Sequence, residues 1–200
     1  MSDVEEALRR FYDVELVDRA ARPLGEDRES HLHDFVDRCL GERRTRVLEV
    51  GCGAGRDGTP MARAGLGYVG VDLSATGVAV CGRLGLLAAQ ASATALPFAD
   101  RSFDAAWSMS TLMHLPGDGM DRALAELGRV VVPGGILEIG VWGKDVDGHR
   151  FDSHGRYFRH RTDDEVRRML GAAGEVDAFE TWDHLDDDGA HYQWARVRVG

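Results

Sequence analysis

Apolar positions follow two different rhythms along this chain, one before residue 44 and one after it. Before it they recur at helical spacing in two runs, over residues 4–12 and 32–40, with a proline and a glycine between the runs. After it they come in short runs that alternate with helical segments. We therefore predict an N-terminal helical cap over residues 1–44, followed by a single compact domain over residues 45–200.

The second part of the chain is predicted to alternate between strands and helices. Strands are predicted at residues 47–50, 68–72, 86–89, 103–108 and 136–142. Helices are predicted from about residue 56 to residue 64, after a capping Ser74, and over residues 118–130. Such alternation favours a parallel sheet with helices on both faces.

The C-terminal third follows a different pattern. Residues 162–165 form a capping box that opens a helix ending near residues 171–174. Two β-like runs follow, at residues 176–182 and 192–199, and the acidic segment 186–189 joins them. So short a connection predicts an antiparallel hairpin. The predicted fold class is therefore α/β, with a seven-stranded, mostly parallel sheet that ends in a C-terminal antiparallel hairpin.

Charge and composition limit the classes of partner. The chain has 24 Lys and Arg residues against 34 Asp and Glu residues, which gives a net charge of −10. Nucleic acid is disfavoured as a partner because both molecules would be anionic. The longest uncharged stretch, residues 84–99, is too short to span a bilayer, so we expect no membrane partner. The acidic N-terminus does not have the pattern of a signal peptide, which favours a cytoplasmic protein.

The cysteines and histidines predict neither disulfides nor a metal site. Cys39, Cys52 and Cys81 are odd in number and widely spaced, without a CxxC pair. This pattern favours thiols in a reducing cytoplasm. The three histidines between residues 149 and 160 do not have the spacing of a helical or finger-type metal site, so we expect no bound metal.

A glycine-rich segment and an acidic residue lie where the first two predicted strands end. Residues 49–55, EVGCGAG, follow the first strand and precede a helix. Glycines there allow a sharp turn and a close approach to a ligand, and the helix N-terminus offers unpaired N–H groups. Asp72 ends the second strand, where a carboxylate accepts hydrogen bonds from ribose hydroxyls. Together they predict a nucleoside-containing ligand across these strand ends.

The glycines alone leave the kind of nucleoside open. Residues 53–58 satisfy GxGxxG, so an NAD(P)-dependent oxidoreductase is one alternative. Against a dinucleotide, the glycine run begins earlier, at Gly51, and the chain is short for a cofactor half plus a substrate half. Glu49 also lies inside the strand, where its carboxylate repels a pyrophosphate and attracts an ammonium group.

Four ordered motifs resemble those of the class I S-adenosylmethionine-dependent methyltransferases. Residues 47–57 resemble the first motif, 69–74 the second, 95–98 with 102–104 the stretch before the fourth strand, and 132–135 the turn before the fifth. Small methyltransferases of the ubiquinone/menaquinone-biosynthesis type are nearest in style. The resemblance implies a Rossmann-like fold, S-adenosylmethionine as cofactor, and methyl transfer to oxygen or nitrogen of a small-molecule substrate. A methyltransferase-like binding protein without turnover is a second alternative.

The resemblance also implies which residues bind the cofactor. The glycine backbone and Glu49 would hold its methionyl end, Asp72 its ribose, and Leu73 its adenine. The family often has Asp where this chain has Ser92, which would give the adenine edge a weaker hydrogen bond. The implied cofactor-binding residues are Glu49, Gly51, Gly53, Gly55, Asp72, Leu73, Ser92, Ala93 and Met109.

Three residues are candidate catalytic groups: His114, Tyr157 and His154. His114 follows the fourth strand, where the family often carries a histidine, and suits a general base; a hydrogen bond that orders the loop is its alternative role. Tyr157 would line the acceptor pocket, and His154 is a second base candidate. The connecting segment 144–161 holds five Lys and Arg against three Asp. This excess favours an anionic substrate, unless the arginines pair with acidic helices.

Overall fold

The computed structural model describes residues 3–19, 23–183 and 189–200. The helices are α1 Asp3–Arg19, α2 Glu26–Gly41, α3 Gly58–Arg63, α4 Ala75–Arg83, α5 Gly119–Val130 and α6 Asp163–Gly171. The strands are β1 Arg46–Val50, β2 Gly67–Asp72, β3 Ala88–Gln90, β4 Phe103–Met109, β5 Val131–Lys144, β6 Gly148–Phe151, β7 Tyr157–His160, β8 Gly174–Asp183 and β9 Ala190–Val199. A short 3₁₀ helix, Leu112–His114, follows β4.

Among the described residues, seven strands form one sheet in the order β3-β2-β1-β4-β5-β9-β8. The strands from β3 to β5 are parallel to their neighbours, and β9 is antiparallel to both β5 and β8. The predicted fold class is therefore confirmed. Of the connection predicted at residues 186–189, residues 186–188 lie outside the described part of the chain. The connection that follows β1 leads to one side of the sheet, and the connection that follows β4 leads to the other side. A crevice therefore opens between the carboxyl ends of these two strands.

Helices cover both faces of the sheet, as the alternation predicts. α5 and α6 pack on one face, where Leu127 is buried against Leu137 and its neighbours. α2 and α3 pack on the other, where Phe35 is fully buried in one cluster with Trp107 and Trp194. Full burial of such a side chain stabilises the fold by about 1.5–3 kcal/mol, so the apolar stripe of each helix fixes its place.

The two N-terminal helices lie in different places. α2 is part of the main core, since Phe35 and Cys39 are fully buried under the sheet. α1 instead packs on α4, with Leu16 beside Val80, and its Asp13 accepts a hydrogen bond from the Ser74 hydroxyl at 2.6 Å. The predicted division between a helical cap over residues 1–44 and a domain over residues 45–200 stays a prediction.

The connecting segment 144–161 contains a hairpin that the sequence analysis did not predict. β6 and β7 pair in antiparallel fashion. Asp152 closes the turn between them, because its carboxylate accepts the N–H groups of His154 and Arg156, both at 2.9 Å. Gly155 has a φ of +77° in the same turn. These are ordinary turn residues, but each strand is only four residues long and gives no clear apolar alternation.

Several element ends differ from the prediction. α3 begins at Gly58 instead of near residue 56, because the chain is still turning where the Gly55 N–H donates to the Cys52 carbonyl at 2.9 Å. β3 covers residues 88–90 instead of 86–89. β5 begins at Val131, and the glycines after it form an irregularity in its pairing with β4 instead of a separate turn.

Asp104 connects the start of β1 to β4. Its carboxylate accepts the backbone N–H groups of Thr45 and Arg46 at 3.0 and 2.9 Å, and pairs with the Arg46 guanidinium at 2.7 Å. Burial acts to raise the pKa of Asp104, but the hydrogen bonds from Arg46 and Thr45 hold it below its ordinary value. A carboxylate with a depressed pKa stabilises the fold above its unfolded pKa, and this stabilisation is lost as the pH falls through the folded value.

We expect Asp104→Asn to lower the free energy of unfolding at pH 7 by about 1–3 kcal/mol, because two backbone donors lose a charged acceptor. Urea unfolding followed by circular dichroism measures the change. Asp118→Asn is the control, since this side chain is 73% exposed and pairs with Arg122 one helical turn away. The control should change the free energy by less than about 0.5 kcal/mol. Equal stability of Asp104→Asn and the parent would contradict the proposed connection.

Candidate functional site

A cleft opens at the carboxyl ends of β1, β2 and β4, where the sheet order reverses. It encloses about 940 Å³, including its open mouth. The glycine loop after β1 forms one side, together with the residues that follow β2 and β4. Leu8, Tyr12 and Leu16 of α1 form a further wall. Segments that are far apart in sequence therefore share one cavity.

The glycine loop turns back onto the end of β2. Gly51 has a φ of +82°, and a Cβ there would overlap the Thr111 side chain, so only glycine fits. The Gly53 N–H donates to the Asp72 carboxylate at 2.8 Å. Gly51 and Gly53 line the cleft, whereas Gly55 faces the core beneath α4. Gly55 therefore shapes the turn, and its predicted contact with a cofactor stays a prediction.

Asp72 ends β2 inside the cleft, with Leu73 and Ala93 beside it. Its carboxylate accepts the N–H groups of Gly53 and Ser74, both at 2.8 Å. Burial raises the pKa of Asp72, and these backbone hydrogen bonds act against the rise. Each carboxylate oxygen has a second lone pair, so the fixed carboxylate can also accept hydroxyl groups of a ligand.

Ser92 lines an adjoining groove instead of the cleft itself. Its hydroxyl donates to Glu5 of α1 at 2.8 Å and lies 2.9 Å from the Thr94 hydroxyl. Leu73 lines both spaces, so the groove and the cleft meet beside it. The hydrogen bond to Glu5 attaches α1 to the loop after β3.

Glu49 is a buried carboxylate at the inner end of the cleft. It is 2% exposed and accepts a hydrogen bond from the Tyr68 hydroxyl at 2.6 Å. Burial and the nearby Asp57 raise the pKa of Glu49 well above its ordinary value, while Tyr68 and Arg28 act in the opposite direction. The ionised form is therefore costly here unless a positive charge approaches it.

Arg28 and Asp57 also line the cleft, although the sequence analysis did not select them. Arg28 Nε donates to Asp57 Oδ2 at 2.9 Å, and Trp107 Nε1 donates to the same oxygen at 2.7 Å. Within the described part of the chain, the buried Oδ1 of Asp57 accepts no hydrogen bond. Asp57 lies inside the first motif and was a visible signal, whereas Arg28 comes from α2 and only the fold brings it here.

Met109 and Ser110, at the end of β4, also line the cleft. The Tyr192 hydroxyl of β9 lies 3.1 Å from Ser110 Oγ and donates to Met109 Sδ at 3.7 Å. Ser110 has a φ of +56°, an uncommon backbone conformation for serine. The chain therefore turns sharply into the 3₁₀ helix that carries His114.

His114 is buried, lines the cleft and is held at both ring nitrogens. Nδ1 lies 2.7 Å from the Tyr157 carbonyl oxygen, and Nε2 lies 3.2 Å from the Tyr12 hydroxyl. A carbonyl can only accept, so Nδ1 carries the proton. In the neutral ring Nε2 therefore presents its lone pair to the hydroxyl of Tyr12 in the cleft. This is the arrangement that a general base requires.

Tyr157 and His154 lie elsewhere. The carbonyl of Tyr157 orients His114, but its ring packs on His149 and Phe151 of β6, at centroid distances of 5.7 and 5.5 Å. The His154 side chain is 63% exposed and lies 5.5 Å from the Phe11 ring. The cleft is lined by neither side chain. Their catalytic roles stay predictions.

The basic segment 144–161 is partly neutralised by its own acids. Arg156 Nε donates to Asp152 at 2.7 Å, and Arg159 lies 3.9 Å from Asp147. At least two of the five basic side chains are therefore paired within the segment. The anionic substrate stays a prediction.

The described residues provide neither a metal site nor a helix that could cross a membrane. They contain no group of three or more His, Cys, Asp or Glu side chains placed to hold a metal ion. No described helix has both the length and the apolar composition needed to cross a bilayer.

Comparison with known proteins bears on the same residues. Residues 48–139 match a family model described as a methyltransferase domain. A fatty-acid O-methyltransferase of Mycolicibacterium smegmatis is 40% identical over 98 residues, which are 46% of this chain and 35% of that protein. This chain spans less than half the length of that relative and of an uncharacterized methyltransferase of Mycobacterium tuberculosis.

Solved structures share the fold over the whole chain. A Burkholderia thailandensis 1,6-didemethyltoxoflavin-N1-methyltransferase, crystallised with S-adenosylhomocysteine, has a TM-score of 0.78 at 22% identity, covering 100% of this chain and 91% of its own. The [4+2]-cyclase SpnF has a TM-score of 0.75 at 23% identity, covering 100% of this chain and 98% of its own.

The family match and the geometry agree on one region. The matched residues include the glycine loop, the Asp72 carboxylate and His114, and the sheet order opens the cleft that these residues line. Residues 48–139 are thus similar to a methyltransferase domain, and the chain shares its fold with a solved methyltransferase structure.

Proposed function

We propose that this chain transfers the methyl group of S-adenosylmethionine to an oxygen or nitrogen atom of a small molecule. The observation that carries the proposal is one cleft that holds a carboxylate fixed at the end of β2, charged groups that suit an amino-acid tail, and a histidine whose Nε2 faces inward. The methyltransferase-domain match and the O-methyltransferase among the relatives support it. The motif style alone supports the ubiquinone/menaquinone-biosynthesis subtype.

The residues present suit a sulfonium nucleoside with an amino-acid tail. Asp72 offers lone pairs to ribose hydroxyls, and Leu73 offers an apolar contact to the base. The orphaned Oδ1 of Asp57, together with Glu49, suits an ammonium group, and Arg28 suits a carboxylate. When bound, S-adenosylmethionine supplies a methyl group on a positively charged sulfur, which a nucleophile displaces.

His114 is the proposed general base. The Tyr157 carbonyl fixes its ring, so Nε2 is the atom that receives a proton as the nucleophile attacks. Positioning of the nucleophile against the methyl group supplies the rest of the rate enhancement. The geometry supports His114 over Tyr157 and His154, because only His114 lines the cleft.

A second candidate is a protein of this fold that binds the nucleoside but does not transfer methyl groups. The fold shared with a [4+2]-cyclase favours it, because that neighbour's name states a different reaction. An NAD(P)-dependent oxidoreductase has less support, since Glu49 lies under the glycine loop where a pyrophosphate would approach.

The proposal also covers the cellular compartment and the chemical class of the substrate. Cys39, Cys52 and Cys81 are thiols, which supports a reducing compartment such as the cytoplasm. A net charge of −10 supports a small molecule over nucleic acid as the partner. The basic segment gives an anionic acceptor only modest support, because Arg156 is already paired with Asp152.

Calorimetric titration with S-adenosylhomocysteine tests the cofactor site. We expect the parent to bind and Asp72→Asn to bind at least about tenfold more weakly, because ribose hydroxyls lose a charged acceptor. Asp100→Asn, an exposed residue paired with Arg129, is the control and should bind like the parent. Binding of NADH but not of S-adenosylhomocysteine would overturn the assignment.

Transfer of a radiolabelled methyl group to a panel of small acceptors then separates the enzyme from the second candidate.

The raised pKa of Glu49 predicts a pH dependence of binding. As the pH falls through that raised value, the carboxyl becomes neutral and no longer attracts the ammonium group. Affinity for S-adenosylhomocysteine should therefore decrease as the pH of the titration is lowered. Glu49→Gln should bind weakly over the whole range, with a flatter profile. Parallel profiles for the two proteins would show that Glu49 does not hold the ammonium group.

Removal of the base should slow turnover without weakening cofactor binding. We expect His114→Ala to lower kcat by about 10²–10⁴-fold with an acceptor found in the screen, and to change affinity for S-adenosylhomocysteine by less than about twofold. His33→Ala is the matched control, since His33 is an exposed histidine of α2. An unchanged kcat in His114→Ala would remove this residue from the base role.

A further inference from the structure

The proton-accepting nitrogen of His114 is already hydrogen-bonded to a tyrosine hydroxyl. Tyr12 of α1 lines the cleft, with its hydroxyl 3.2 Å from Nε2 and the two ring planes 67° apart. Because Nδ1 donates to the Tyr157 carbonyl, Nε2 has one lone pair, and that lone pair accepts the Tyr12 O–H. A substrate hydroxyl in the cleft therefore meets the Tyr12 oxygen before it can reach Nε2.

The Tyr12 hydroxyl also faces a fixed positive charge. Arg156 is held by Asp152 at 2.7 Å, and its guanidinium lies over the Phe11 ring at 4.7 Å from the centroid. Burial lowers the pKa of Arg156, but hydrogen bonds with Asp152 and Tyr12 more than offset this, so the guanidinium stays charged. The N–H groups of a guanidinium can donate to a phenol oxygen and so hold the Tyr12 hydroxyl in place. The oxygen has two lone pairs, so it can accept from Arg156 and from a substrate hydroxyl together.

We propose, on the basis of the methyl transfer proposed above, that Tyr12 is a catalytic residue that relays the substrate's proton to His114, and that Arg156 positions it. The substrate O–H bond breaks and its proton passes to the Tyr12 oxygen, while the proton of Tyr12 passes to Nε2. The substrate oxygen bonds to the methyl carbon as the carbon–sulfur bond breaks and its electron pair stays on sulfur. One positive charge thereby leaves the sulfonium and appears on the imidazole ring.

The relay specifies the acceptor as a hydroxyl on a flat ring, such as a phenol. A carboxylate is already ionised near neutral pH and has no proton to give. The two side chains of the relay, Tyr12 and His114, are themselves rings that line the cleft. Two further rings pack behind them, with Phe158 4.5 Å from His114 and Phe11 5.2 Å from Tyr12. Such rings pack favourably against another aromatic ring.

Tyr12→Phe is the direct test, with a panel of phenols as acceptors. It keeps the ring and removes the relay, so kcat should fall at least about tenfold, with the KM for S-adenosylmethionine and the affinity for S-adenosylhomocysteine unchanged. Ser102→Ala is the control for loss of a hydroxyl, since Ser102 donates to the Ala99 carbonyl in an exposed loop. A Tyr12→Phe protein as fast as the parent, or faster, would mean that Tyr12 merely blocks His114, and would overturn the relay.

Arg156→Gln tests the positioning role. Its effect on kcat should grow as the phenol becomes less acidic, because a less acidic hydroxyl depends more on the relay, and Arg156→Lys should restore part of the rate. An equal loss for every phenol, without rescue by lysine, would contradict positioning and indicate a structural role. Methylation of a carboxylate as fast as that of phenols, and equally insensitive to Tyr12→Phe, would contradict the acceptor class.

A measurement on the ligand-free chain needs no acceptor. Long-range ¹H–¹⁵N NMR should show His114 protonated at Nδ1, and the Nε2 resonance should shift in Tyr12→Phe. Protonation of Nε2 in the neutral ring would overturn the relay. If the NMR result holds and no acceptor is methylated, methyl transfer itself fails and the relay falls with it. If the parent is active and Tyr12→Phe is unaffected, only the relay fails.

Discussion

One hydrogen bond, from the Gly53 N–H to the Asp72 carboxylate, organises this site. It joins the loop after β1 to the end of β2, and it requires the chain to turn at Gly51, where the Thr111 side chain leaves no space for a Cβ. The parallel sheet brings the two strand ends together, and the glycines allow the contact. The cleft is therefore a consequence of how two adjacent strands end, before any ligand is considered.

The order of strands and helices can be predicted from the sequence more accurately than the set of residues that line the cleft. Alternating strands and helices, with a C-terminal hairpin, are long-range patterns that only a mostly parallel sheet satisfies, and the structure confirms them. Motif positions are less specific, because they follow the path of the backbone: Gly55 faces the core and Ser92 faces an adjoining groove. Arg28 and Tyr12 reach the cleft from helices more than twenty residues upstream of the glycine loop, and no local pattern marks them.

Two buried glutamates, Glu138 and Glu49, differ in the groups that compensate their negative charge. Burial raises the pKa of Glu138 to about 7, but its carboxylate also accepts Arg196 Nε at 2.7 Å, so the protein itself supplies the opposite charge. Glu49 is equally buried, and its hydrogen-bond donor is the neutral hydroxyl of Tyr68. A core carboxylate is compensated internally, whereas a cleft carboxylate depends on what enters. Contrasts of this kind separate a structural ion pair from a binding group.

The wall formed by α1 has a further consequence. Leu16 lies beside Gly53, and Tyr12, one helical turn earlier, contacts His114. Both contacts belong to one rigid helix, so displacement at the glycine loop also displaces the hydroxyl on the histidine. A single element therefore sets the geometry at both ends of the cleft, and a change in the tilt of α1 would be felt at each of them.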